Sequence, residues 1–193
     1  QCRIRMKIIS AIKSFLRKRA LKKFRSQEPT SMMPLSSIHS ATALLDSEDT
    51  SFDECKLLLQ NFFRENDIKG EIFFLDMKKL GSGERLITSI TGTILRKDLN
   101  WFGRLSKEKT AQVSSCESDL FISLVNNDDF TVEFISAITP AKFKLGRKQL
   151  PGHIFDMVIS DPSGRTLAEA EAFQAMSMAS AVMSVSRSSS LLR

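Results

Sequence analysis

Residues 118–129 read Ser-Asp-Leu-Phe-Ile-Ser-Leu-Val-Asn-Asn-Asp-Asp, and residues 130–139 continue as Phe-Thr-Val-Glu-Phe-Ile-Ser-Ala-Ile-Thr before Pro140. Leu120, Phe121, Ile122, Leu124 and Val125 are apolar at both parities, as a strand covered on both faces of a parallel sheet requires. Asp128 or Asp129 is placed to cap the helix that follows, and Pro140 ends that helix. Two more apolar runs come next, Lys142 to Arg147 and Phe155 to Ser160. The order strand, helix, strand, strand predicts a three-layer, Rossmann-like α/β domain with a mostly parallel sheet and helices on both faces.

Working outward, Ile38 to Leu45 is expected as the first strand. Thr50 or Ser51 is expected to cap a helix from Phe52 to Glu65 whose buried face is Cys55, Leu58, Leu59, Phe62 and Phe63. Ile72 to Leu75 is a compact second strand, and Leu86 to Leu95 alternates well enough for an edge strand. Gly81-Ser82-Gly83 between them reads as a hairpin turn, not as the glycine-rich opening of a phosphate-binding helix. Thr166 to Met183 is expected to close the domain as a helix.

The charge is split. The 193 residues carry 28 Lys or Arg and 22 Asp or Glu, for a net charge of +6. Residues 1–26 hold ten of those cations and no acid, which leaves the remainder net acidic. From Met6 to Ser26, Ile9, Ile12, Leu16, Ala20 and Phe24 recur at steps of three or four, with Ile8, Phe15 and Leu21 widening the stripe, so an amphipathic basic helix is expected. The organisation is then a basic arm over 1–26, a Pro- and Ser-containing linker over 27–37, one α/β domain over 38–183, and a disordered Ser-rich tail over 184–193.

Several function classes lack their residues. Cys2, Cys55 and Cys116 with two histidines build neither a disulfide framework nor a zinc site. No run approaches about 18 apolar residues, and cations interrupt the N-terminal one, so export and membrane spanning are disfavoured. A cytoplasmic home is the simplest, with peripheral attachment at the inner face of the cell membrane. His39 lies in the expected first strand and His153 in the Pro151-Gly152-His153 turn, and Cys55 and Cys116 have no neighbouring base in sequence, so no catalytic residue, cofactor or metal is assigned.

The arm is the strongest functional signal. Lys7, Lys13, Arg17, Lys18, Arg19, Lys22, Lys23 and Arg25, with Phe15 and Phe24, suit an anionic membrane surface or an acidic partner, and RNA or ribosome association is the further alternative. The leading expectation is a non-catalytic binding or adaptor protein, peripherally attached through this helix; docking of the stripe on the body is the competing outcome. A second candidate is a small ligand-binding domain or enzyme for a phosphorylated or nucleotide ligand, using strand-end loops. Its residues would be Asp46, Asp49, Trp101, Asn126, Asp128, Arg147 and Lys148.

Lys97-Asp98, Trp101-Phe102-Gly103, Ser118-Asp119-Leu120-Phe121-Ile122-Ser123-Leu124 and Ala141-Lys142-Phe143-Lys144-Leu145-Gly146-Arg147 together resemble an uncharacterised family of small bacterial proteins, a domain of unknown function. The likeness spans most of residues 6–180 and implies the same order of elements, including a basic N-terminal helix, with no activity attached. Asp119 to Leu124 and Pro140 to Arg147 also look like the central strand, helix and strand of heptosyltransferase-type glycosyltransferases. Those enzymes need a second Rossmann-like half for the nucleotide sugar, so this resemblance implies shared fold mechanics alone.

Overall fold

A computed structural model describes residues 2–31, 33–78 and 92–159. Its elements are α1 (Cys2–Phe24), β1 (Ser40–Asp46), α2 (Phe52–Glu65), β2 (Lys69–Asp76), β3 (Thr93–Leu95), α3 (Lys107–Ser114), β4 (Ser118–Ser123), α4 (Phe130–Ile138), β5 (Ala141–Gly146) and β6 (Met157–Val158). The strands form one sheet in the order β3-β2-β1-β4-β5-β6, and every pairing is parallel. The fold is the three-layer α/β arrangement expected, with the N-terminal helix present.

Successive side chains along a strand point to opposite faces, and the core divides accordingly. Ala43 and Leu45 of β1, Phe74 of β2 and Leu120 and Ile122 of β4 face Cys55, Leu59, Phe62 and Phe63 of α2. Leu44, Phe73, Leu75 and Phe121 face the other way, toward Val113 of α3 and Val132, Phe134, Ile135 and Ile138 of α4. Apolar residues at both parities of β1 and β4 are the physical consequence of being central strands with helices above and below. Seven of the nine residues of α4 are buried, because α1 and α3 pack on it while it lies on the sheet. A helix enclosed in that way has no polar stripe to show.

Several expectations change in detail. β2 and β3 run parallel, so the tight hairpin expected between them is overturned; residues 79–91, including Gly81 to Gly83 and most of the Leu86 to Leu95 run, lie outside the described residues. The helix expected over Thr166 to Met183 and the tail lie outside them too. Ser51 and Asp129 occupy the N-cap positions of α2 and α4, but neither side chain makes the capping hydrogen bond; the Ser51 hydroxyl sits 3.6 Å from Cys55 Sγ. His39 precedes β1 and is exposed. The polar helix α3 was not anticipated; its start is fixed by Ser106 Oγ, which accepts from the Lys109 amide at 3.2 Å.

The 27–37 segment is laid along the body. The Ser26 amide donates to the Ala137 carbonyl at 3.0 Å and the Ser31 amide to the Lys142 carbonyl at 2.8 Å, while Met33 and Leu35 pack on the α2-side core. Expected as a spacer, it is a strap tied to β5 and to the α2-side core.

Candidate functional site

β1 leads through α2 to β2 on one side, whereas β4 enters the sheet on the other side of β1. The order therefore reverses between β1 and β4, and in open α/β sheets the crevice beyond the carboxyl ends at such a point is the usual ligand position. Here that crevice has a volume of about 470 Å³. Its base is Asp46 at the end of β1 and Leu75 and Met77 at the end of β2; Asn127 and Asp129 to Val132 line one side at the start of α4. The opposite side is the segment after β3, with Arg96, Asn100 and Trp101, and α1 closes the top with Lys13 and Arg17.

Local hydrogen bonds fix the walls. Asn100 Oδ1 accepts from the amides of Phe102 and Arg104 at 3.2 and 2.9 Å, which shapes the turn that Gly103 completes at a φ of 92°. Thr131 Oγ1 donates to the Gly103 carbonyl at 3.1 Å and ties that turn to α4. Phe102 is buried in the core, whereas Trp101 stands 60% exposed at the rim, edge-on to Phe102 with centroids 5.5 Å apart. The aromatic pair therefore divides its work, one ring anchoring the loop and the other facing outward. Glu133, one turn into α4, has its carboxyl pKa raised by burial, against the lowering effect of the Arg17 charge.

α1 itself carries two faces. The row Lys13, Arg17, Ala20, Phe24 points at the body. Ala20 is buried, Phe24 meets Phe134 edge-on at 6.1 Å, and Arg17 donates from Nε to the Phe102 carbonyl at 2.8 Å. The row Ile8, Ile12, Phe15, Arg19, Lys22 has the same three- and four-residue spacing and is exposed throughout. The expected stripe thus splits along its length: Leu16, Leu21 and Phe24 pack on the core, while Ile9 and Ile12 join Met6, Ile8 and Phe15 in solvent. Lys7, Lys18 and Lys23 are exposed as well; Arg25 reaches the carbonyls of Gly152 and His153 at 3.3 and 3.4 Å.

Of the strand-end residues singled out in sequence, Asp46 and Trp101 line the crevice. Asp49 meets Arg147 at 3.2 Å, and Asp128 meets Lys148 at 3.5 Å, so these four close on one another. Asn126 is exposed. The crevice cation Arg96 and its neighbour Asn100 were not singled out, Asn127 and Asp129 figured only as members of the strand-end loop and Asp129 as a helix cap, and Lys13 and Arg17 were assigned to the arm alone. No local pattern joins residues so far apart; only the docking of α1 brings 13 and 17 to 96 and 129.

Alternative chemistry finds little support. Cys116 Sγ lies 3.2 Å from Glu71 Oε2, and burial, then the hydrogen bond and charge of Glu71, push the thiol pKa up to about 12, far from a nucleophile at neutral pH. Among the described residues no group of three His, Cys, Asp or Glu is placed to hold a metal ion, and no helix is long and apolar enough to cross a membrane.

No curated protein and no solved structure matches the chain. Residues 12–172 match a family model, a span that contains every residue of the crevice just described. The chain therefore belongs to the family of unknown function DUF6913.

Proposed function

We propose that the protein is a peripheral binding or adaptor protein that docks on an anionic bilayer through the outward face of α1. One observation carries this reading. Of the seven large apolar side chains exposed among the described residues, five are Met6, Ile8, Ile9, Ile12 and Phe15, all within ten consecutive residues of one helix. Apolar exposure concentrated in this way marks an interaction surface.

Charge selects the partner. The N-terminal 26 residues contain no acid, and the outward row passes directly from Ile8, Ile12 and Phe15 to Arg19 and Lys22. Interfacial helices combine these two features: apolar groups enter the headgroup boundary while lysines and arginines meet lipid phosphates. Each cation near an anionic leaflet contributes about 1 kcal/mol, so attachment is firm at low salt and reversible. The strap and the inward row keep the body attached while the outward row is engaged.

Flotation of the full chain with vesicles of phosphatidylcholine and phosphatidylserine, nuclease-treated, tests the proposal. The full chain is expected to float with these vesicles and to stay down with pure phosphatidylcholine. The variant Ile8→Glu, Ile12→Glu, Phe15→Glu changes only side chains outside the core, so it keeps the melting temperature and stays down. If the full chain does not float, or the triple variant floats equally well, the reading fails. Salt-sensitive retention on RNA without flotation would assign the same face to nucleic acid instead.

A further inference from the structure

The crevice between β1 and β4 lies on the inward side of α1 and is independent of membrane docking. Its residues divide by chemistry. Lys13, Arg17 and Arg96 approach from α1 and from the segment after β3, and none of the three makes a salt bridge among the described residues. Arg17 is oriented by its bond to the Phe102 carbonyl and by the Phe130 ring, 4.7 Å from its guanidinium carbon. Asp46 stands on the base, with Oδ1 accepting from the Glu48 amide at 3.0 Å. Leu75, Met77, Leu99 and Val132 supply apolar wall, and the Trp101 indole stands at the rim.

We infer that this crevice binds a phosphomonoester that carries a flat ring, the chemistry of a nucleoside monophosphate. A volume of about 470 Å³ falls in the range of small-ligand sites, about 300–1,000 Å³. Three cations from two separate elements match a dianionic phosphate, with arginine supplying planar paired donors. Asp46 accepts hydrogen bonds from sugar hydroxyls, and the indole offers a face for stacking. The phosphate belongs on the α1 side. At the other side, the loop into α2 carries Asp46 and Glu48, whose charges repel a phosphate there, whereas Asp49 is paired with Arg147.

Trp101 is the only tryptophan of the chain, so its fluorescence reports directly from the rim. The experiment titrates the full chain with adenosine 5′-monophosphate and, in parallel, with adenosine and with inorganic phosphate. Saturable quenching by the monophosphate is expected, with adenosine at least tenfold weaker and phosphate giving no quenching. Lys13→Gln and Arg96→Gln alter side chains with no ion pair among the described residues, so both variants fold; each is expected to weaken the monophosphate at least tenfold. The absence of saturable quenching overturns the inference. Equal affinity in both variants, or equal affinity for adenosine, overturns it as well, because the cations then do not hold the phosphate.

Discussion

Arg17 of α1 donates to the backbone carbonyl of Phe102 at 2.8 Å, joining the N-terminal helix to the loop that places Trp101. The two residues are 85 positions apart in the chain. This bond, with the guanidinium over Phe130, sets the rotation of α1 about its own axis. Once Arg17 is fixed, Ala20 and Phe24 must face the core and Ile8, Ile12 and Phe15 must face solvent.

Replacing Arg17 therefore loosens more than one contact. Arg17→Ala is expected to cost about 1–3 kcal/mol in urea denaturation, the sum of a charge-assisted hydrogen bond and a cation–π contact. Arg17→Lys keeps the charge but loses the flat guanidinium, and is expected to recover less than half of that loss. Full recovery by lysine would show that charge alone holds the helix.

Gly146 ends β5 with no room for a side chain. A Cβ at this position runs into the Phe155 ring, and that ring is itself stacked on Phe121, 6.5 Å between centroids and 9° from parallel. The ring cannot swing away without disturbing the core. Gly146→Ala is expected to cost about 1–3 kcal/mol, and combining it with Phe155→Ala should cost less than the two single changes added. Thermal melts of the four proteins measure this directly.

The contrast between these two contacts shows how far the amino-acid order reaches. β4 was legible because Leu120, Phe121 and Ile122 carry their environment in their own chemistry: a strand apolar at both parities has helices on both faces. α4 was legible from Asp129 to Pro140 for the same reason. α3 was missed because Lys107, Glu108, Lys109 and Gln112 bury little, and only Ser106 signalled its start. The crevice was legible in part. Asp46 and Trp101 follow from strand-end loops, but Arg96 belongs to a short turn of Arg96, Lys97 and Asp98 with no distinguishing pattern. Lys13 and Arg17 looked like any other cations of the arm until the rotation of α1 was known.

At the opposite end of the sheet, Asp119 joins the starts of β1 and β4. Its Oδ2 accepts from the amides of His39 and Ser40 at 2.9 and 3.1 Å and from the Ser40 hydroxyl at 3.1 Å, while Lys142 Nζ lies 2.7 Å from Oδ1. Burial works to raise the carboxyl pKa, but the hydrogen bonds from Lys142, His39 and Ser40 outweigh it and hold it at about 2, below the ordinary 3.8. A depressed carboxylate stabilises the fold above its ordinary value, and that contribution is lost as the pH falls from about 4 to about 2. Asp119→Asn is expected to cost about 2 kcal/mol at pH 7 and nearly nothing at pH 2. A constant difference across that window would mean that the carboxylate charge is not what binds the two strands.

Lys144 of β5 has the opposite character. It is 6% exposed, donates from Nζ to the Ser136 carbonyl at 2.8 Å, and lies 6.0 Å from the Phe121 ring centroid. Burial first, then the charge of Arg25 at the end of α1, lower its pKa to about 8, with Asp156 opposing. The unfolded chain keeps the ordinary value of 10.5, so between about pH 8 and 10.5 it binds a proton that the folded chain has released. Stability supplied through this residue therefore rises with pH across that window. Lys144→Met removes the buried charge with a side chain of similar length, and is expected to be as stable as the parent or more so at pH 7. By pH 10 the parent should have gained about 2 kcal/mol relative to Lys144→Met. Urea denaturation of both proteins at the two pH values measures this change; parallel behaviour would show that the ammonium stays charged inside the sheet layer.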